Sequence, residues 1–202
     1  MIPKIIHQIW IGSLGFNEEW TKSWQEKNPS MKYMFWGEEE IEAFGLRFKD
    51  KVDSLVSLKY FSGATDIIRI ELLDRFGGVY VDVDSYCLKP IEDAPFMDGE
   101  FFVGRDYDDR RGRFKDRVAN GTIGSTKGHP VLKEYLEGID KTDIKKWMTM
   151  GGEMLTNCIK GKDVIVLPTC TFYPKNWDKR KAVFESEIYA KHFWGTTTGK
   201  YN

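Results

Sequence analysis

The chain has 202 residues, 41% of them hydrophobic and 30% charged, with a net charge of −1. That length suits one domain with a real core. A near-neutral balance offers no general surface for a polyanion, which argues against a nucleic-acid partner. Cys87, Cys158 and Cys170 are too few and too scattered for a disulfide framework or a zinc site, as in a reducing compartment. The opening stretch, MIPKIIHQIWIG, is apolar but lacks the basic region and cleavage site of a signal peptide. No run approaches the ~18 apolar residues that span a bilayer. With neither a membrane-spanning segment nor a stem, the chain is expected to be cytoplasmic or virus-encoded.

In chain order, Ile2 to Ile11 reads as a first buried strand, with His7 as a satisfied structural histidine. Asn17 to Lys27 reads as a helix with Trp20 and Trp24 at i, i+4 toward the core, ended by Asn28-Pro29. Lys32 to Trp36 is a second strand. Glu38 to Phe44 is a short acidic helix with a solvated face, and Asp53 to Phe61 a further helix. Ser62 is placed to cap the helix that follows. There Ile67, Ile68, Ile70, Leu72 and Leu73 give a broad apolar face, closed by Phe76 and the turn-permitting Gly77-Gly78. Val79, Tyr80, Val81 and Val83 form a central strand. Asp82 and Asp84, two residues apart at its end, are expected on one side. Two carboxylates projecting together repel, and a divalent cation with oxygen ligands, Mg²⁺ or Mn²⁺, relieves the repulsion.

Further on, Phe101 to Gly104 reads as a strand. Arg105 to Arg117 is dense in charge and reads either as an exposed loop or as a lid toward phosphate or an acidic sugar. Pro130 fits the first turn of a helix over Val131 to Glu137, with His129 fixing the loop before it. Gly151-Gly152 precedes an apolar helix. Glu153 there is either a first-turn acid or a group brought close to phosphate or sugar. Asp163 to Leu167 is a late strand. On residue types alone, Asp66 and Arg69 at i, i+3 make a surface ion pair worth under ~1 kcal/mol.

Asp66-x-x-Arg69, Gly77-Gly78, Tyr80 and Asp82-x-Asp84 occur together at one spacing. This combination resembles the DXD glycosyltransferases acting on nucleotide-sugars. The likeness is to the family-32 group of bacterial capsular sugar transferases and fungal mannosyltransferases, with glucosylating domains of large clostridial toxins more distant. The resemblance implies an α/β, GT-A-like single domain over residues 1–202, with a Rossmann-like central mixed sheet flanked by helices. It implies a metal-dependent hexosyltransferase moving a sugar, with retention, from a UDP- or GDP-sugar to a saccharide or lipid-linked acceptor. Asp82, Asp84 and His192 would hold Mn²⁺ or Mg²⁺. Trp10 would stack on the base, Tyr80 and Trp194 would bind the donor, and Asp66, Arg69 and Asn120 would orient the sugar. Glu153 stands where relatives carry T-G-P, which this chain replaces with Met150-Gly151-Gly152. The tail also departs from the pattern: His192 and Trp194 are of the matching types, but their spacing is compressed and the serine is missing. Pro168 to Pro174 resembles the family's loop near the acceptor cleft.

Two other classes remain open at this point. A haloacid-dehalogenase-type phosphatase would use one aspartate of Val81-Asp82-Val83-Asp84-Ser85 as nucleophile and the other as acid. A non-catalytic nucleotide-sugar-binding protein would keep the same residues without turnover.

Overall fold

The structure, a computed structural model, describes residues 1–106, 117–175 and 187–195. Six strands form a mixed sheet in the order β2-β1-β3-β6-β5-β7. These are β1 (Ile5–Ile9), β2 (Lys32–Trp36), β3 (Gly78–Val81), β5 (Phe101–Arg105), β6 (Val118–Ser125) and β7 (Ile165–Leu167). β1 runs parallel to β2 and β3, β6 is antiparallel to β3 and β5, and β7 is parallel to β5. β4 (Ser85–Cys87) and β8 (Ala190–His192) pair antiparallel in a separate ribbon. The helices are α1 (Glu18–Lys27), α2 (Glu38–Phe44), α3 (Lys49–Ser57), α4 (Phe61–Phe76), α5 (Pro130–Lys141) and α6 (Gly152–Cys158). The expected α/β fold with a central mixed sheet flanked by helices is what the chain adopts. No helix of the described residues is long and apolar enough to cross a membrane.

α4 is the helix the rest packs around, and it is apolar on nearly every side. That composition belongs to a helix covered by protein all round. Its one buried acid away from the cleft, Glu71, accepts the backbone N–H groups of Arg47 (2.6 Å) and Phe48 (2.9 Å). Gly77, at φ 67°, ends the helix, and its N–H donates to the Leu73 carbonyl at 2.8 Å. At Gly78, φ 101°, a Cβ would lie 2.6 Å from the Ile5 carbonyl, so the chain can enter β3 beside β1 only without a side chain. Val79 and Val81 of β3 then face one apolar cluster with Trp24 and Phe96, while Tyr80 faces the other with α4 and α5.

His7 is fully buried as a neutral ring. Its Nδ1 accepts from Trp36 Nε1 (3.1 Å), so Nε2 donates to the Gly77 carbonyl (2.9 Å). Burial lowers its pKa from 6.5 to about 4. Trp24 Nε1 donates to Ser85 and pins β4 to α1.

Several boundaries differ from the sequence reading. α4 begins at Phe61, so Ser62 lies inside its first turn, where its carbonyl accepts from Thr65 Oγ1 at 2.9 Å, and it does not cap. α3 spans Lys49–Ser57 because Val52 and Leu55 are the residues that reach the core. β3 stops at Val81, which places Asp82 and Asp84 on the turn that leaves the sheet. Val118 to Ser125, given no element in the sequence reading, is a full strand, and its Gly124 sits against the Phe102 ring.

Candidate active site

The C-terminal ends of the parallel neighbours β1 and β3 open onto a cleft of about 370 Å³. It lies where the sheet changes from parallel (β1–β3) to antiparallel (β3–β6), the place where α/β sheets leave a crevice. Trp10 follows β1 and Asp82 follows β3, so both stand at its rim.

Asp82 and Asp84 converge through the turn rather than through the pleat. Ser85 Oγ donates to the Asp82 carbonyl at 2.6 Å and Gln8 Nε2 donates to the same atom at 3.2 Å, which fixes the turn. β8 then delivers the third member, because the β4–β8 register sets Ser85 opposite His192. His192 Nε2 lies 3.2 Å from Asp82 Oδ2 and 3.2 Å from Asp84 Oδ1. One ligand atom from each residue falls within 4.8 Å of the others. Phe193 N–H donates to the Asp84 carbonyl (2.8 Å) and Gly195 N–H to Asp84 Oδ2 (2.5 Å), so the tail is tied to the turn it completes.

The donor set of a buried and a half-buried carboxylate with a buried imidazole suits Mn²⁺ or Mg²⁺. Asp82 Oδ1 is occupied by the Tyr80 hydroxyl (2.6 Å) and lies 3.3 Å from Arg69 NH1, which leaves Oδ2 toward the cluster. His192 Nδ1 accepts the Trp194 N–H at 3.1 Å, so Nε2 carries the proton that faces both carboxylates. Ligation through Nε2 needs that proton on Nδ1 instead, where the Trp194 N–H now points. The aspartates are therefore better disposed to hold a cation than His192. Trp194 holds this position in the left-handed region, φ 59°. Burial opposes charge on His192, but the Asp84 and Asp82 carboxylates raise its pKa. Burial likewise pushes Asp82 upward, yet Arg69 and His192 bring it below the usual carboxylate value.

Beside this cluster sits a second network. Asp66 and Arg69 do pair, at 3.1 Å, but Arg69 is 4% exposed and Asp66 9%, so the pair is buried rather than on the surface. Asn120 Nδ2 donates to Asp66 Oδ1 at 2.7 Å, while Arg69 NH1 donates to the Asn120 carbonyl at 2.6 Å. The guanidinium also lies over the Tyr80 ring, 4.4 Å from its centre. Burial raises the Asp66 pKa to about 6 despite Arg69.

Of the residues expected in the site, Trp10, Asp66, Arg69, Tyr80, Asp82, Asp84, Asn120, His192 and Trp194 all line the cleft. Trp10 Nε1 donates to the Leu14 carbonyl at 2.7 Å and its ring packs on Phe16. Glu153 is not brought there: it is exposed on the first turn of α6. The glycines before it take its place. A Cβ at Gly151 would lie 3.0 Å from Asp66 Oδ2, so backbone packs where a side chain was expected. Of the charge-dense stretch, Asp106 and Arg117 line the cleft and pair at 2.9 Å, while residues 107–116 lie outside the described residues. Residue patterns alone do not single out Gly121 or Tyr173. Gly121 is hidden in an ordinary strand, and Tyr173 is touched only by the resemblance of Pro168 to Pro174 to a loop near the acceptor cleft.

The family described as a glycosyltransferase sugar-binding region containing a DXD motif matches residues 17–101. The chain is 26% identical over 144 residues to inositol phosphoceramide mannosyltransferase 3 of Schizosaccharomyces pombe, covering 69% of this chain and 38% of that protein. It is 30% identical over 138 residues to the uncharacterized glycosyltransferase L373 of Acanthamoeba polyphaga mimivirus, covering 65% and 53%. It thus spans well under two thirds of either relative. In structure it is similar to the PaToxG glycosyltransferase, with TM-score 0.60, 19% identity, and coverage of 78% of this chain and 68% of that one. It is also similar to the galactosyltransferase LgtC in complex with donor and acceptor sugar analogs, with TM-score 0.53, 14% identity, and coverage of 95% and 87%. At these identities the likeness is one of fold, and the fold is GT-A. The haloacid-dehalogenase-type reading finds no support in sequence or fold.

Proposed function

We infer from sequence and fold together that the chain is a DXD-type glycosyltransferase, and we propose that its cleft transfers a sugar from a UDP- or GDP-sugar to a hydroxyl of a saccharide or lipid-linked acceptor. The observation that carries this reading is the meeting of Asp82, Asp84 and His192 with the Asp66–Arg69–Asn120 network in one crevice.

On this reading the roles divide by chemistry. Asp82, Asp84 and His192 hold Mn²⁺ or Mg²⁺, which when bound supplies charge stabilisation to a departing diphosphate. Trp10 offers an aromatic surface to the base at the far rim. Asp66 and Asn120 present an acceptor and a donor, fixed against each other at 2.7 Å, to sugar hydroxyls. Arg69 keeps Asp66 and Asp82 apart in charge while aligning both. Within the described cleft no carboxylate stands free of this scaffold to act as a nucleophile: Asp66, Asp82, Asp84 and Asp106 are each engaged. That agrees with transfer on one face of the sugar and retention of configuration, the leaving phosphate taking the acceptor's proton.

The test is donor hydrolysis. The protein is incubated with Mn²⁺ and a panel of UDP- and GDP-sugars, and released nucleoside diphosphate is assayed, with Asp84→Ala and a chelator as controls. Release from one donor, lost in both controls, is the expected result. Silence across the panel, with no donor binding by calorimetry, would overturn the proposal. Binding without release with every acceptor tried would favour a non-catalytic binding protein.

A further inference from the structure

Tyr173 lines the cleft, and its hydroxyl lacks a well-formed hydrogen bond among the described residues. The side chain is 1% exposed. Thr122 is near enough to interact with it, but no hydrogen bond of ordinary geometry joins the hydroxyl to a described protein atom. Leaving a buried hydroxyl unmade is unfavourable, and native proteins rarely do so without reason.

Its surroundings say what is missing. A Cβ on Gly121 would lie 2.6 Å from Asp82 Oδ2, 3.2 Å from Tyr173 Oη and 3.4 Å from His192 Nε2. Three polar atoms therefore ring one spot that only a glycine leaves open. No carboxylate oxygen stands in hydrogen-bond geometry with the phenol, and each already has a partner. Asp82 Oδ1 takes the Tyr80 hydroxyl and Oδ2 faces His192, while Asp84 Oδ1 faces His192 and Oδ2 takes the Gly195 N–H. The ring packs beside His192 and Trp194, with centroids 5.6 and 5.7 Å away. A phenol is protonated at neutral pH and offers one O–H to an acceptor. The acceptor must come from outside, and beside a cation cluster the matching group is an anionic oxygen.

Resting on the transferase reading above, we propose that Tyr173 is a substrate-contacting residue: its hydroxyl donates to a phosphate oxygen of the nucleoside diphosphate gathered at the Asp82–Asp84–His192 cluster. Gly121 leaves out the side chain that would otherwise stand between the hydroxyl and the Asp82 carboxylate. Tyr173 thereby reads the diphosphate, whereas Trp10 at the other end of the cleft reads the base.

The experiment is calorimetric binding of UDP and of GDP in the presence of Mn²⁺ to the full chain and to Tyr173→Phe, which removes the hydroxyl alone. A hydrogen bond to a charged oxygen predicts about tenfold to hundredfold weaker binding of the diphosphate that the parent protein prefers. Mn²⁺ affinity without nucleotide, followed by electron paramagnetic resonance, is expected to be unchanged, as is the melting temperature. Equal diphosphate affinity in the two proteins would overturn the inference while leaving the transferase reading intact. A matching fall in melting temperature and in Mn²⁺ affinity would also overturn it, because it would reveal a hydroxyl that holds the fold. If the parent protein binds neither diphosphate, the transferase reading falls and this inference falls with it.

Discussion

Replacing Arg69 with methionine probes the junction between the two polar networks. The guanidinium donates to the Asn120 carbonyl (2.6 Å), the Thr65 carbonyl (3.1 Å) and Thr65 Oγ1 (3.2 Å), and it pairs with Asp66 (3.1 Å) and Asp82 (3.3 Å). Methionine keeps the apolar stem but strands two carboxylates around an emptied centre. Breaking a buried ion pair from one side costs about 3–5 kcal/mol. The lower end applies here. Asn120 still donates to Asp66, Tyr80 and His192 still hold Asp82, and Asp66, already at about 6, can protonate further. A loss of about 3 kcal/mol moves a urea midpoint down by roughly 1 M or more. Adding Asp66→Asn to Arg69→Met removes the stranded charge and should recover about 1 kcal/mol or more as a coupling term. The single variant's deficit should also be smaller at pH 5 than at pH 8, because Asp66 is protonated in the folded state at the lower pH. Urea unfolding of the four proteins of the cycle measures all of this. A deficit under ~1 kcal/mol for Arg69→Met, with no recovery in the double variant, would refute the view that Arg69 neutralises both networks.

Two neighbouring glycines of β6 should separate fold from site. At Gly124 a Cβ would lie 2.0 Å from the Phe102 ring, so Gly124→Ala should destabilise by about 1–3 kcal/mol and leave Mn²⁺ affinity alone. At Gly121 the added Cβ presses on Asp82 Oδ2, so Gly121→Ala should weaken Mn²⁺ binding at least about tenfold, worth ~1.4 kcal/mol, by the same resonance assay. A third prediction concerns pH. His7 has its pKa lowered from 6.5 to about 4, so the unfolded chain binds more protons between these values and stability rises with pH through that window. The deficit at pH 5 relative to pH 7.5 should be about 2 kcal/mol from this residue alone. In the folded protein its imidazole resonances should stay flat down to pH 5, and titration near 6.5 would contradict the buried neutral ring.

Much of this was legible in the residues because local and tertiary demands agree. β2 and α2 fall at their expected bounds, and Gly77-Gly78 ends α4 because no other residue could turn beside Ile5. The convergence of Asp82 and Asp84 was foreseen for a reason the structure changes. Strand alternation would have put them on one side, but the strand has already ended, and hydrogen bonds to the Asp82 carbonyl do the work. The character of the Asp66–Arg69 pair could not be read from i, i+3 spacing, because burial depends on α5 and β6, which arrive later in the chain. Glu153, read either as a first-turn acid or as a group near phosphate or sugar, is an exposed first-turn acid, and for a related reason the choice between the two could not be made. The sequence marks a glycine-rich helix start, but only packing against Asp66 reveals that the backbone, rather than the following acid, occupies the site.

The pairing of β4 with β8 has a consequence in time. Asp82 and His192 stand 110 positions apart, and all six strands of the large sheet are made before Pro168. Contacts so distant along the chain are slow to close and late to be rewarded. The His192 side of the cluster therefore carries a larger loop-closure cost than the neighbouring strand pairs β1–β2 and β5–β6. The cluster is thus joined by the strand pair that closes the longest loop among the described residues, and its geometry depends on the β4–β8 ribbon as much as on the large sheet.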